Sequence, residues 1–263
     1  MKIKFDKYQG TGNDFIIVNG IAQPQVLKLT PDEVKGLCDR HFGIGADGLM
    51  ILTEDLNSDF LMTYYNADGH ESTMCGNGGR CLSAFAYEQG VCQTEAEFNA
   101  VDGLHKVRIT EDDTIELQMK DVSQISRDDE AFILDTGSPH YVTFVDDYHE
   151  IDIVAFGKSI RYSNRYSLEG INVNVASLIN DRLHVKTYER GVEDETYSCG
   201  TGVTASAIAA SLYYPALAGE SEVKIISKGG DLKVRFRKES DDLFTQVWLC
   251  GPATKVYSGM ITL

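Results

Sequence analysis

Met74-Cys75-Gly76-Asn77-Gly78-Gly79-Arg80 and Ser198-Cys199-Gly200-Thr201-Gly202 lie more than a hundred residues apart and share one pattern. In each, a cysteine leads into a Gly-x-Gly run and a small-residue, apolar helical stretch follows. A thiol at a helix N-terminus meets unpaired backbone N–H groups and the positive end of the macrodipole, and both favour the thiolate. The same N–H groups suit an anion such as a carboxylate, and the glycines let a ligand approach the backbone. One Cys-Gly-x-Gly is best read as a tight turn. Two copies, each opening a buried helix, point to function. Two matched thiols are what a racemase or epimerase without a cofactor needs: one removes a proton from carbon and the other returns one to the opposite side.

The elements around these thiols can be read from periodicity. Residues 3–18 form two strands about Gly10-Thr11-Gly12-Asn13-Asp14. Thr30-Pro31-Asp32-Glu33 is a capping box with proline at the first helical position. Gly48–Leu52 and Phe60–Tyr65 are expected strands, and Asn66-Ala67-Asp68-Gly69 breaks the second. A helix is expected over 78–89 with Gly90 at its C-cap, then a hairpin of Val107–Ile109 and Ile115–Met119. The polar stretch 123–129 marks a boundary, giving domains 1–123 and 124–253. Beyond it come strands Phe132–Leu134 and Tyr141–Val145, a helix over 151–159 and a strand with Ile171, Val173 and Val175 alternating with polar residues, the period of a half-buried strand. A helix over 201–214 and a hairpin about Gly229-Gly230 follow. The helices LSAFAY and VTASAIAASLY carry no polar face, so both are buried. Each half therefore reads as antiparallel strands wrapped around one central helix.

The 263 residues carry 24 basic and 40 acidic side chains, a net charge of −16. Such a surface repels phosphate backbones and anionic lipid, which argues against nucleic acid and membrane as partners. The charged start MKIKFDKYQG is no signal peptide and no stretch is long enough to span a bilayer, so a cytoplasmic, reducing location is expected. The six cysteines form no CxxC pair, so no metal site is expected. Cys75 and Cys81 on one helix would be turned about 600° and raised about 9 Å, too far apart to bridge. Cys38, Cys81, Cys92 and Cys250 are expected to be small buried hydrophobes.

Seven segments together resemble the diaminopimelate epimerase family over nearly the whole chain. They are Gly10-Thr11-Gly12-Asn13-Asp14-Phe15, Gly43-Ile44-Gly45-Ala46-Asp47-Gly48, Asn66-Ala67-Asp68-Gly69, Met74 to Cys81, Gly137-Ser138-Pro139-His140, Tyr188-Glu189-Arg190-Gly191 and Ser198 to Gly202. The resemblance implies an α/β fold of two pseudo-symmetric domains, each a mostly antiparallel, barrel-like sheet around a central helix, with the C-terminal strand 254–263 returning to the first. It implies a homodimer, no cofactor, and interconversion of LL- and meso-2,6-diaminopimelate in lysine and peptidoglycan-precursor biosynthesis. Carried over position by position, Cys75 and Cys199 are the two catalytic bases. The N–H groups about Gly76-Asn77 and Gly200-Thr201 hold the carboxylate at the reacting carbon. Asn13, Asn66, Asn172 and Arg190 contact substrate, Arg190 suiting the distal carboxylate by its planar fork. Glu189 binds the amine near Cys199, His140 lies near Cys75, and both tune the thiols.

The chain departs from the family pattern twice. Better-known members read Gly-Asn-Pro-His where this chain has Ser138, and some carry glutamine where it has Gly48. Other readings weighed are a proline or hydroxyproline racemase, whose first motif reads Met-Cys-Gly-His, and a phenazine-biosynthesis-like isomerase, which lacks the cysteine pair. A non-catalytic amino-acid-binding module and a redox sensor built on the two thiols complete the alternatives.

Overall fold

The computed structural model describes residues 1–263, and its chain divides into two compact units, Met1–Leu117 with Gly251–Leu263, and Gln118–Cys250. The first unit runs β1 (Lys2–Gly10), β2 (Asn13–Asn19), α1 (Pro31–Cys38), β3 (Gly48–Thr53), β4 (Phe60–Asn66), α2 (Gly76–Glu88), β5 (Glu95–Ala100), β6 (Gly103–Ile109) and β7 (Ile115–Gln118). The second runs β8 (Ile125–Asp128), β9 (Ala131–Asp135), β10 (Pro139–Phe144), α3 (Ile153–Arg161), β11 (Asn172–Ile179), β12 (Arg182–Glu189) and β13 (Asp194–Glu195). It continues with α4 (Gly200–Tyr213), β14 (Glu222–Ser227), β15 (Gly230–Lys238) and β16 (Phe244–Gly251). The last strand, β17 (Thr254–Thr262), pairs antiparallel with β1, from Lys2 opposite Thr262 to Gln9 opposite Thr254.

The two units repeat one pairing scheme. In the first, β1–β2 is antiparallel, β2–β3 parallel, β3–β4 antiparallel, β4–β5 parallel and β5–β6 antiparallel. In the second, the same alternation is made by β9–β10, β10–β11, β11–β12, β12–β14 and β14–β15. A helix crosses over at each parallel step, as a parallel pair requires.

Each sheet carries a helix on both faces. In the first unit, Ile16, Val18, Leu49 and Ile51 meet Val34 and Leu37 of α1. The intervening positions turn to α2, which packs on β1, β2, β3, β4 and β6. In the second, Val173, Val175 and Tyr188 meet Ile153 and neighbours on α3, while α4 packs on β9, β10, β11, β12, β14 and β15. The central helices are buried nearly all round. Their hydroxyls turn back onto their own helices: Ser83 donates to Gly79 O at 2.7 Å, Thr204 to Gly200 O and Ser206 to Gly202 O at 2.8 Å.

Three expectations change. Residues 118–123 belong with the second unit, because Met119 N–H donates to Val247 O and Val122 exchanges bonds with Phe244. The strand β5 was not expected; it is short, carries two glutamates in six residues, and only Ala96 and Phe98 at alternate positions are buried. The strand bearing Val173 and Val175 is buried on both faces from Asn172 to Ser177, because α4 covers the side that alternation assigned to water. No helix is long and apolar enough to cross a membrane.

Candidate active site

The four α-helices begin in two different ways. The outer helices are capped by side chains: Thr30 Oγ1 accepts from Glu33 N–H at 3.3 Å while Glu33 accepts from Thr30 N–H at 2.8 Å. Asp152 accepts from Val154 and Ala155 N–H at 3.0 Å. The central helices α2 and α4 start at Cys75 and Cys199, whose extended backbones occupy the N-cap with no side-chain cap bond. The N–H groups of a first helical turn have no intrahelical acceptor. A cysteine at the cap thus does not take the donors that a Ser, Thr or Asp would take.

In the first unit the half-buried Cys75 thiol points to Asn13 Oδ1 at 3.6 Å, and Asn77 Nδ2 donates to the same oxygen at 3.4 Å. Asn13 in turn donates to Asp47 Oδ2 at 2.5 Å. Behind it lies a charge cluster in which Asp14 pairs with Lys7 and Arg40, each at 2.7 Å, and Arg40 with Asp47 at 2.7 Å. Burial alone would raise the Asp14 carboxyl, but bonds from Arg40 and Lys7 prevail and bring it down to about 2. One helical turn on, Arg80 is 0% exposed. It donates to Thr11 Oγ1 and Asn77 Oδ1 at 3.2 Å, and to the carbonyls of Gly76 at 3.4 Å and Pro252 at 3.5 Å. The turn before β2, the start of α2 and the returning C-terminal segment are thereby tied together.

Asn66 stands at the exposed end of β4, in register with Gly48, with its backbone N–H bonded to His70 O at 2.9 Å. A Cβ at Gly48 would lie 2.5 Å from both the Tyr64 ring and Tyr65 O. Any side chain at this position needs both the Tyr64 ring and the Tyr65 backbone to shift.

In the second unit Cys199 is buried, and its sulfur lies 3.4 Å from Thr201 Oγ1. His140 is fully buried, on β10, and its Nε2 meets Thr201 Oγ1 at 2.9 Å. Desolvation, with a smaller push from Arg190 against the pull of Asp135, drives its pKa down to about 3 and keeps the ring neutral. It is not the exposed loop residue that its place after Pro139 would allow. Within its own unit its ring bonds to Thr201, at the start of the Cys199 helix.

Asn172 donates to Ser138 Oγ at 2.8 Å and to Pro139 O at 3.0 Å, and its Oδ1 accepts from Arg190 N–H at 2.9 Å. The Arg190 guanidinium donates to Glu169 O at 2.9 Å and to Ser138 Oγ at 3.4 Å. Ser138 thus joins two of the expected substrate contacts, and the guanidinium is oriented from two sides. Glu189 sits half-buried at the end of β12, opposite Asp194.

Sequence reasoning missed Asn174 and Thr187. Asn174 donates to His140 Nδ1 at 2.9 Å and to Tyr141 O at 3.2 Å, and accepts from Thr187 Oγ1 at 2.9 Å. A Cβ at Gly202 would come within 2.5 Å of Asn174 Oδ1, so the glycine is what admits this pair against the first turn of α4. The available signal was Asn172-x-Asn174 on one strand face, two asparagines in an otherwise apolar run. The other four cysteines are buried and unbridged, and burial raises the thiols of Cys38 and Cys81 to about 12 and of Cys92 to about 11.

The family model for diaminopimelate epimerase matches residues 5–125 and 132–256. A diaminopimelate epimerase of Flavobacterium psychrophilum is 46% identical over 260 residues, covering 98% of this chain and all of its own. One from Chlorobaculum tepidum is 37% identical, covering 97% of this chain and 99% of its own. Among solved structures, a PhzF-family phenazine biosynthesis protein from Bacillus anthracis aligns with TM-score 0.73 at 15% identity, over all of both chains. A hydroxyproline epimerase from Agrobacterium vitis aligns with TM-score 0.67 at 13% identity, over 100% of this chain and 93% of that one. At such identities these two establish a shared fold alone, whereas the matched family model and the full-length relatives place the chain in the diaminopimelate epimerase family.

Proposed function

We propose that this protein inverts one α-carbon of 2,6-diaminopimelate, interconverting the LL and meso forms, with Cys75 and Cys199 as the two proton carriers. The observation that carries the reading is the contrast of helix starts. Two outer helices are closed by Thr30 and Asp152 side chains, while two central helices open at cysteines that make no such bond. Full-length relatives named as diaminopimelate epimerases supply the substrate.

The α-proton of an amino acid is very weakly acidic, so the negative charge that builds on its removal must be met by fixed dipoles. The N–H groups at Gly76-Asn77 and Gly200-Thr201 are suited to the carboxylate next to that carbon, and their pull strengthens as charge develops. One thiol starts as thiolate and the other as thiol, and they exchange roles on each turnover, so the pair titrates as a coupled unit. Asn13, Asn66 and Asn172 contact the substrate, Glu189 its amine, and Arg190 its far carboxylate by a forked pair of bonds. Ser138 supports Asn172 and Arg190 in that role. No pyridoxal phosphate or metal takes part in this scheme. The working form is a cytoplasmic homodimer, and the exposed Val256, Tyr257 and Met260 of β17 offer apolar surface for a second copy.

The test is incubation of reduced, dialysed protein with LL-diaminopimelate, and with L-proline beside it, followed by chiral separation. Formation of meso-diaminopimelate is expected. Inversion of proline with no action on diaminopimelate would overturn the proposal in favour of a proline racemase.

A further inference from the structure

A line of four polar side chains, from β12 to the tip of α4, ends at the Cys199 sulfur. Thr187 Oγ1 donates to Asn174 Oδ1 at 2.9 Å. That bond, together with Asn174 Nδ2 on Tyr141 O at 3.2 Å, fixes which way the amide faces, since a backbone carbonyl only accepts. The second amide hydrogen points at His140 Nδ1, 2.9 Å away. A neutral imidazole has one donor and one acceptor nitrogen. With Nδ1 accepting, the ring proton sits on Nε2 and is donated to Thr201 Oγ1 at 2.9 Å. The hydroxyl, already an acceptor from His140, has its own hydrogen free to turn to Cys199 Sγ at 3.4 Å. Thr187, Asn174 and His140 are each 3% exposed or less, so water does not compete at those links.

We propose that Asn174, anchored by Thr187, locks His140 as the Nε2–H tautomer, so that the Thr201 hydroxyl donates its proton to the Cys199 sulfur. The inference rests on the reading of Cys199 as a working thiol and adds Asn174 and Thr187 as positioning residues. A hydroxyl that donates favours the anionic sulfur over the neutral thiol. The opposite tautomer would draw the Thr201 hydrogen to His140 and leave the sulfur without it. His140 therefore works here as a fixed dipole. The charged groups that act on it are Asp135 of β9 and Arg190 beyond β12, which oppose one another; Glu189 ends the strand that carries Thr187.

The test uses the full chain carrying Cys75→Ala, with the rate of Cys199 alkylation by iodoacetamide followed against pH. Thr201→Val should slow alkylation at neutral pH about tenfold and move its midpoint up by about one pH unit. Thr201→Ser, which keeps the hydroxyl, should restore both. Asn174→Leu should act in the same direction and have no further effect when Thr201 is already valine, because it works only through that hydroxyl. Ring-nitrogen NMR of His140 in the unaltered protein should find Nδ1 unprotonated. A proton on Nδ1, or equal effects of Asn174→Leu with and without the Thr201 hydroxyl, would overturn the proposal. None of these readouts depends on turnover, so a failure of the proposed reaction would register separately.

Discussion

At residue scale the two proposed proton carriers are the cysteines that cap central helices, and the other four lie buried away from any helix start. Burial holds Cys38, Cys81 and Cys92 as thiols, so they cannot serve as bases near neutral pH. Cys75→Ala and Cys199→Ala should each lower kcat/KM by about a hundredfold or more, the scale of a lost general acid or base. Cys38→Ala should leave kcat/KM within a few fold and act on stability instead. Steady-state rates in both reaction directions check this, and substantial turnover by either capping-cysteine variant would remove that residue from the scheme. The helix starts at both cysteines were legible in the sequence because their signal is local: a cysteine, two glycines and a small-residue helix. Asn174 was not, because its burial is decided by α4, which begins 26 positions later in the chain. Alternation alone marks a polar strand position as wet.

The elements place these residues by letting backbones approach the helix starts. A Cβ at Gly202 would press within 2.5 Å of Asn174 Oδ1, a buried atom held by Thr187. A Cβ at Gly78 would meet Met50 Cε instead, the mobile end of an unbranched side chain. Gly202→Ala should therefore cost about 1–3 kcal/mol and disturb the His140 line. Gly78→Ala should cost less, since Met50 can turn aside and alanine regains up to about 1 kcal/mol of helix propensity. Urea unfolding of the two variants separates these outcomes, and equal losses would mean that side-chain mobility does not decide the difference. The capping box at Thr30 was readable for the same local reason as the cysteines. The covering of β11 by two layers, and the short strand β5, required partners distant in sequence.

At the scale of the whole molecule, each unit carries its own sensitivity to acid. His140 binds protons at an ordinary 6.5 when unfolded but only near 3 in the folded unit, mainly because burial disfavours its charge. Between those values the unfolded chain holds more protons, so stability falls as pH drops below 6.5. His184 acts with the same sign, chiefly through desolvation. Asp14 behaves differently: its carboxyl lies near 2 against an ordinary 3.8, so the first unit keeps that stabilisation until pH falls through about 4 toward 2. Denaturant unfolding as a function of pH should lose stability first between 6.5 and 4, and His140→Gln should flatten that part of the curve while leaving the steeper fall below 4. An unchanged slope in the variant would mean that His140 is not the group responsible.

If two thiols share one inversion, the path of the proton records it. A single base would return the proton it removed, so product would often keep the substrate's hydrogen. With two bases the incoming proton comes from the second thiol, which has exchanged with solvent. The measurement is mass spectrometry of diaminopimelate at low conversion in heavy water, run from the LL and from the meso form. Solvent deuterium is expected at the inverted carbon of the product from the first turnovers, with little in unconverted substrate. Product that mostly retains the original hydrogen would contradict the assignment of Cys75 and Cys199 as partners.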